Sequence, residues 1–114
     1  MANLLDFSRY RPPILPVQLL DKARTILHVT PPTVDLQEEL TARLPELNSL
    51  LEGGDEEQRV GMWELAARLM SCNRNWLAVD AQQLRTKYGL DEEDLIVFYS
   101  TYVDFVKELE NAKN

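Results

Sequence analysis

Apolar positions recur at steps of three and four along most of this chain, and the phase of that repeat predicts where its helices lie. Leu95, Phe98, Tyr99, Tyr102, Phe105, Val106 and Leu109 form one stripe, which predicts a helix over 91–109. Asp91 and Asp94 stand three residues apart at its start, a helix-entry signal. Upstream, Val60, Trp63, Ala66, Ala67 and Met70 form one row and Met62, Leu65, Leu69 and Cys72 a second, so this helix is apolar on more than one side and is expected to be central. Asp55-Glu56-Glu57 supplies its acidic start, and the polar run Ser71-Cys72-Asn73-Arg74-Asn75 reads as its end. Between the two lies a short segment, 79–89, with Asp80 placed to cap Ala81 and Gly89 placed to supply a left-handed finish.

The first half is less regular. Leu36, Leu40, Leu44, Leu47 and Leu51 repeat at helical spacing after Thr33 or Asp35, either of which can cap, and Gly53-Gly54 closes the run. Pro45 falls inside it, so the segment is either kinked there or split into two short helices. From Ile14 to Val29 the pairs Val17/Leu19 and Leu27/Val29 alternate against Gln18 and His28, which predicts a hairpin with Asp21-Lys22-Ala23-Arg24 as its turn. That turn lacks the glycine of a tight hairpin, so a short helix over 17–27 is the competing reading. Arg9-Tyr10-Arg11-Pro12-Pro13 favours an extended entry. The expected fold is mainly α: a small helical domain of four to five helices with a short N-terminal β-hairpin. Its expected organisation is a flexible arm over 1–13, one domain over 14–111 and a tail over 112–114.

Composition fits this picture. With 114 residues, 45% hydrophobic and 27% charged, the chain is in the range of one globular domain. Its net charge of -7 is uneven: residues 1–29 carry Arg9, Arg11, Lys22 and Arg24 against Asp6 and Asp21, net +2, which leaves -9 on the remainder. An acidic body repels phosphate polyanions and anionic lipid, so neither nucleic acid nor membrane is an expected partner. A single cysteine permits no internal disulfide, and no run of about 18 apolar residues occurs, so neither a membrane span nor a signal peptide is expected and a cytoplasmic location is.

Catalytic chemistry finds little support. His28 is the only histidine and has no partner at metal-ligand spacing. Cys72 lies on an apolar row, where cysteine acts as a small hydrophobe. The carboxylates gather at helix starts, and Gly53-Gly54 lacks the lysine and hydroxyl of a phosphate loop. The chain is expected to be no enzyme and to need no cofactor or metal. The large side chains Trp63, Met70, Trp76, Tyr99, Tyr102 and Phe105 are the candidate partner-binding residues, because aromatic and Met side chains are enriched in interface anchors, with a core role as the alternative for each.

Several of these stretches carry a family resemblance. Leu27-His28-Val29-Thr30-Pro31-Pro32-Thr33 after a hairpin, Ala67-Arg68-Leu69-Met70-Ser71-Cys72-Asn73-Arg74, then Leu84 to Leu90 and Asp94-Leu95 through Phe98, Tyr99, Tyr102 and Phe105 resemble the tail assembly chaperones of long-tailed bacteriophages. The similarity spans most of 17–109. It implies a non-catalytic protein of the bacterial host cytoplasm that binds the tape measure protein, keeps its apolar helices in solution and helps recruit tail tube protein. Homo-oligomers are a further expectation, since a domain this small can use another copy to cover an apolar stripe. The competing reading is a small acidic regulator or inhibitor that occupies a basic surface, suggested by the charge and by the acids Asp91 to Asp94.

Overall fold

The computed structural model describes residues 13–51 and 54–112. Residues 1–12 of the expected arm over 1–13, Gly53 of the expected Gly53-Gly54 closure and residues 113–114 of the expected tail lie outside them. The fold is mainly helical, with one antiparallel hairpin at its N-terminal end.

The hairpin, and not the competing helix, occupies the N-terminal region. Strand β1 (Leu15–Gln18) pairs with β2 (Ile26–Val29) in the register Leu15 to Val29, Pro16 to His28, Val17 to Leu27 and Gln18 to Ile26. Leu27 and Val29 are fully buried while Ile26 and His28 face outward, the period-two alternation of a half-buried sheet. The turn closes without glycine because Asp21 does the work of a backbone contact. Its carboxylate accepts from the Thr25 amide at 2.8 Å and the Thr25 hydroxyl at 2.6 Å, and Arg24 takes the left-handed conformation at φ 51. The Thr25 hydroxyl, then its amide, hold the Asp21 carboxyl below the usual aspartate range.

Pro31-Pro32 ends the strand, and Thr33 caps α1 (Val34–Arg43) by accepting from the Leu36 amide at 3.2 Å. At Pro45 the leucine repeat splits: a 3-10 turn (Leu44–Leu47) is followed by the single-turn α2 (Asn48–Leu51). Helix α3 (Glu56–Ser71), capped by Asp55, runs through the centre. Met62, Trp63, Leu65, Ala66, Ala67, Leu69 and Met70 are all buried, as the two apolar rows predict, whereas Val60, the first member of its row, lies near the start of the helix and is 46% exposed. The short α4 (Ala81–Thr86) has a full capping box between Asp80 and Gln83, and Gly89 at φ 70 lets Leu90 donate back to the Leu84 carbonyl at 2.9 Å. Helix α5 (Glu92–Ala112) starts on a reciprocal pair: Asp94 donates its amide to Asp91 and Asp91 its amide to Asp94, each at 2.9 Å.

One element departs from the sequence reading. The run from Cys72 to Asn75 does not continue α3; it lies along the outer edge of β2 as a strand surrogate. Asn73 bridges Val29, Thr30 donates to the Cys72 carbonyl at 2.8 Å, and Arg74 donates to the His28 carbonyl at 3.0 Å. The Asn75 side chain finishes the ladder in place of a peptide group, accepting from the His28 amide at 2.8 Å and donating to the Ile26 carbonyl at 3.0 Å. The helix stops because Asn73 donates to the Met70 carbonyl at 2.7 Å, satisfying an end-of-helix acceptor that a further turn would have used. Cys72 is therefore half-buried just past the helix, not a member of its apolar row.

The α5 stripe is covered within the chain: Leu95, Phe98, Tyr99, Tyr102, Phe105 and Val106 are all buried. Its rings pack along the helix, Phe98 lying 5.4 Å from Tyr102 and Tyr102 lying 6.0 Å from Phe105 between centroids. Polar contacts link the helices at the surface. Arg68 of α3 meets Glu39 of α1 at 2.6 Å and holds that carboxyl below its usual range, Arg59 meets Glu92 at 3.6 Å, and Gln37 donates to Glu110 at 2.9 Å.

Two neighbouring buried phenols differ. The Tyr99 hydroxyl donates to the Met62 carbonyl at 2.5 Å, whereas the Tyr102 hydroxyl has no hydrogen-bond partner. Tyr99→Phe should therefore cost about 1–2 kcal/mol in urea unfolding, and Tyr102→Phe should be neutral or stabilising. Burial pushes both phenols well above their ordinary value of 10.0. Stability is thus complete below about pH 10, where tyrosine ionises in the unfolded chain, and is lost as pH rises from there towards the folded-state values. Tyr102→Phe should flatten that alkaline loss, as read by the urea midpoint against pH.

Candidate functional site

The candidate partner-binding residues divide sharply. Trp63, Met70, Tyr99, Tyr102 and Phe105 are all core residues, none more than 9% exposed, while Trp76 is 95% exposed. Tyr99, Tyr102 and Phe105 line neither of the two main clefts, whereas Met70 reaches the floor of one and Trp63 the wall of the other. Their helical spacing reported burial, and the element that buries them is this chain's own. Trp63 has its outer side closed by the Arg85 guanidinium, 5.5 Å from the ring centroid.

Trp76 is different in kind. It holds a left-handed backbone at φ 58, a conformation that costs a non-glycine residue roughly 1–2 kcal/mol. Full exposure also forgoes on the order of 2 kcal/mol that burial of a large apolar side chain would contribute. The loop holds it there through two asparagines. Asn73 donates to the Leu77 carbonyl at 2.7 Å and accepts from the Leu77 amide at 3.1 Å, closing the turn around residue 76, while Asn75 ties the same turn to β2. Ser71 secures the exit, its hydroxyl accepting from the Val79 amide at 3.0 Å.

A second surface is a groove between the hairpin and α5. Leu19, Met70 and Phe98 form its buried floor, and Leu15, Val17, Leu20, Leu90 and Val97 its walls, around a cleft of about 270 Å³. Leu20 is 48% exposed and Val97 63% exposed there. Asp94 and Thr101 supply polar groups at the rim. The groove is open along β1, whose outward positions are Pro16 and Gln18. Because β2 hydrogen-bonds to β1 through Leu27 and Val29, Pro16 falls where its missing N–H costs the ladder nothing, and it blunts the edge against pairing by another strand. Side chains, not backbone, are what this groove offers. Sequence reasoning missed Leu20 and Val97. The available signal was phase: Val97 is apolar yet stands outside the 95-98-99-102 stripe, so burial of that stripe leaves it in solvent.

A wider cleft of about 620 Å³ lies where α3, α4 and the start of α5 meet, lined by Val60, Trp63, Ala81, Arg85, Leu90 and Asp91 among others. Neither His28 nor Cys72 reaches it. Burial raises the Cys72 thiol above its ordinary range, so its nucleophilic thiolate is disfavoured at neutral pH. Among the described residues, no three His, Cys, Asp or Glu side chains group as a metal site, and no helix is long and apolar enough to cross a membrane. Of the acids from Asp91 to Asp94, Asp91 and Asp94 are engaged in the helix cap and Glu92 with Arg59.

No family model, curated protein or solved structure matches this chain.

The two tryptophans should separate in solution. Acrylamide should quench the Trp76 emission with the efficiency of a free indole and leave Trp63 protected, so Trp76→Phe should give a blue-shifted, poorly quenched spectrum. Equal quenching of the wild type and Trp76→Phe would contradict this placement.

Proposed function

We propose that this chain is a non-catalytic assembly chaperone of the phage tail kind, acting in the cytoplasm of the bacterial host. It holds an apolar helical face of a tape measure protein in the groove between the hairpin and α5, and helps bring tail tube protein to that client. The observation that carries the reading is the groove, where exposed Leu20 and Val97 flank a floor of Leu19, Met70 and Phe98. Its volume of about 270 Å³ falls just short of the ~300–1,000 Å³ of small-molecule pockets and suits the side chains of one helical face. A long client with exposed apolar stripes aggregates unless a partner buries them, and a shallow groove with no backbone pairing lets go again. The resemblance of 27–33, 67–74 and 84–105 to tail assembly chaperones supplies the client's identity. The acidic-regulator reading keeps the net charge of -7, but capping of α5 by Asp91 and Asp94 and the pairing of Glu92 with Arg59 give three of its four clustered acids a local role.

Co-expression with a tape measure protein from the same genome is the direct test. The client should move several-fold into the soluble fraction, and Val97→Glu or Leu20→Glu should reverse that. Both side chains are exposed, so the urea midpoint of the chaperone should move by no more than about 0.5 kcal/mol equivalent. A client equally insoluble with and without the chain would end this reading.

A further inference from the structure

The groove between the hairpin and α5 has an apolar floor, but its α5 rim is charged with one sign. Its strand wall, Leu15 to Leu20, carries no charged residue, and Asp94 is the one charged residue in its lining. Asp94 accepts from the Asp91 amide at 2.9 Å, a hydrogen bond that does not neutralise a carboxylate. The turn of the helix brings further acids to the same rim. At ~100° per residue, Glu93, Asp104 and Glu108 fall within about 40° of Val97, and all three are exposed. Among the described residues, none of these three is held in an ion pair. Lys107, the single cation of α5, falls about 80° from Val97 on the other side and lines the cleft against Gln37, Leu40 and Thr41 of α1. At the turn end of the groove, where the Leu20 amide donates to the Tyr88 carbonyl at 3.1 Å, the charge is mixed, Asp21 and Lys22 standing beside Lys87.

We infer that the groove selects a client helix whose apolar stripe is flanked by lysine or arginine, the apolar residues seated between Leu20 and Val97 and the cations meeting Glu93, Asp94, Asp104 and Glu108. This rests on reading the groove as a client site and adds the charge of its occupant. Length is what brings in the acids beyond the lining. The six residues of the strand wall span roughly 20 Å, whereas a helix of about 20 residues spans ~30 Å. A seated helix therefore runs on past Thr101, where Asp104 and Glu108 follow about one and two turns further along α5. An acidic helix would set its carboxylates against these four with no cation on the strand wall to compensate. A second copy fits the groove less well for the same reason: with Arg9, Arg11 and Asp6, net +1, set apart from the total of -7, residues 13–114 carry -8.

The test uses the full chain and three synthetic helical peptides of about 20 residues that share one leucine stripe and differ only in its flanks, which are lysine, glutamine or glutamate. Calorimetry at low and high salt follows binding. At low salt the lysine peptide should bind at least tenfold more tightly than the glutamate peptide, with the glutamine peptide between them, and high salt should close the gap. Asp104→Asn with Glu108→Gln should weaken the lysine peptide several-fold and leave the glutamine peptide unchanged. Removing two exposed acids that line other faces, Glu38→Gln with Glu64→Gln, should leave the lysine peptide within twofold. Leu20→Ser with Val97→Ser should weaken all three peptides while the circular dichroism spectrum stays unchanged, since both side chains are exposed. Equal affinity for the three peptides, or equal loss in the two acid-removing variants, would overturn the inference and leave the chaperone reading standing. Binding of none of them, binding indifferent to Leu20→Ser with Val97→Ser, or self-association of the chain that this variant abolishes would remove the groove as a client site and the inference with it.

Discussion

Everything distinctive in this fold follows from the need to satisfy the outer edge of β2. Leu27 and Val29 are buried, so the strand is held against the helical body, and its second row of amides and carbonyls cannot be left without partners. A two-stranded hairpin is marginal alone, and a third strand would ordinarily complete it. Here the four residues after α3 take that place, with backbone groups of Cys72 and Arg74 serving Thr30 and His28 and the Asn75 amide serving His28 and Ile26. A carboxamide carries one acceptor and two donors in a plane, which is why Asn can stand in for a peptide group where Asp or Ser could not. The same residues terminate α3, so one short polar run joins the sheet to the central helix.

Two surfaces are consequences of that joint. Anchoring the hairpin to the end of α3 sets β1 at a fixed separation from α5, and the space left between them is the apolar groove floored by Leu19, Met70 and Phe98. The chain must then leave the β2 edge and reach Asp80 to start α4, and it does so through the reversal at Trp76. Backbone economy alone would place glycine or asparagine at a φ of 58. A tryptophan there adds strain and exposure that nothing in the fold recovers, and this is the asymmetry that separates Trp76 from every other aromatic side chain among the described residues.

The helices were legible in the sequence because their signals are local. Asp55, Asp80 and the Asp91/Asp94 pair cap where their spacing predicts, Gly89 takes the left-handed finish, and Pro45 splits the leucine repeat. The hairpin was legible from alternation, although its turn lacks glycine, because Asp21 and Thr25 at a separation of four close it through side chains. The strand surrogate was not legible. Ser71 to Asn75 is polar at any periodicity, and what decides its conformation is an edge forty-odd residues away in sequence, at Ile26 to Thr30. Nor could spacing say which aromatic side chains would meet solvent, since a stripe at helical period reports that it is covered and not what covers it.

That distinction bears on how binding surfaces are sought in small helical proteins. Tyr99, Tyr102 and Phe105 have interface-like composition, yet Tyr99 donates into the central helix and the other two pack ring against ring. Their chemistry is spent on cohesion. The residues left for contact are those the local pattern cannot use: Val97 out of phase on α5, Leu20 beyond the end of β1, and Trp76 on a left-handed turn. In each case the side chain is apolar while its position is one that solvent reaches, so burial energy remains available for a second molecule. The groove and the loop differ in how they are built: Asp94 and Thr101 line the groove beside its apolar walls, while Trp76 is held out by the two asparagines of its own loop.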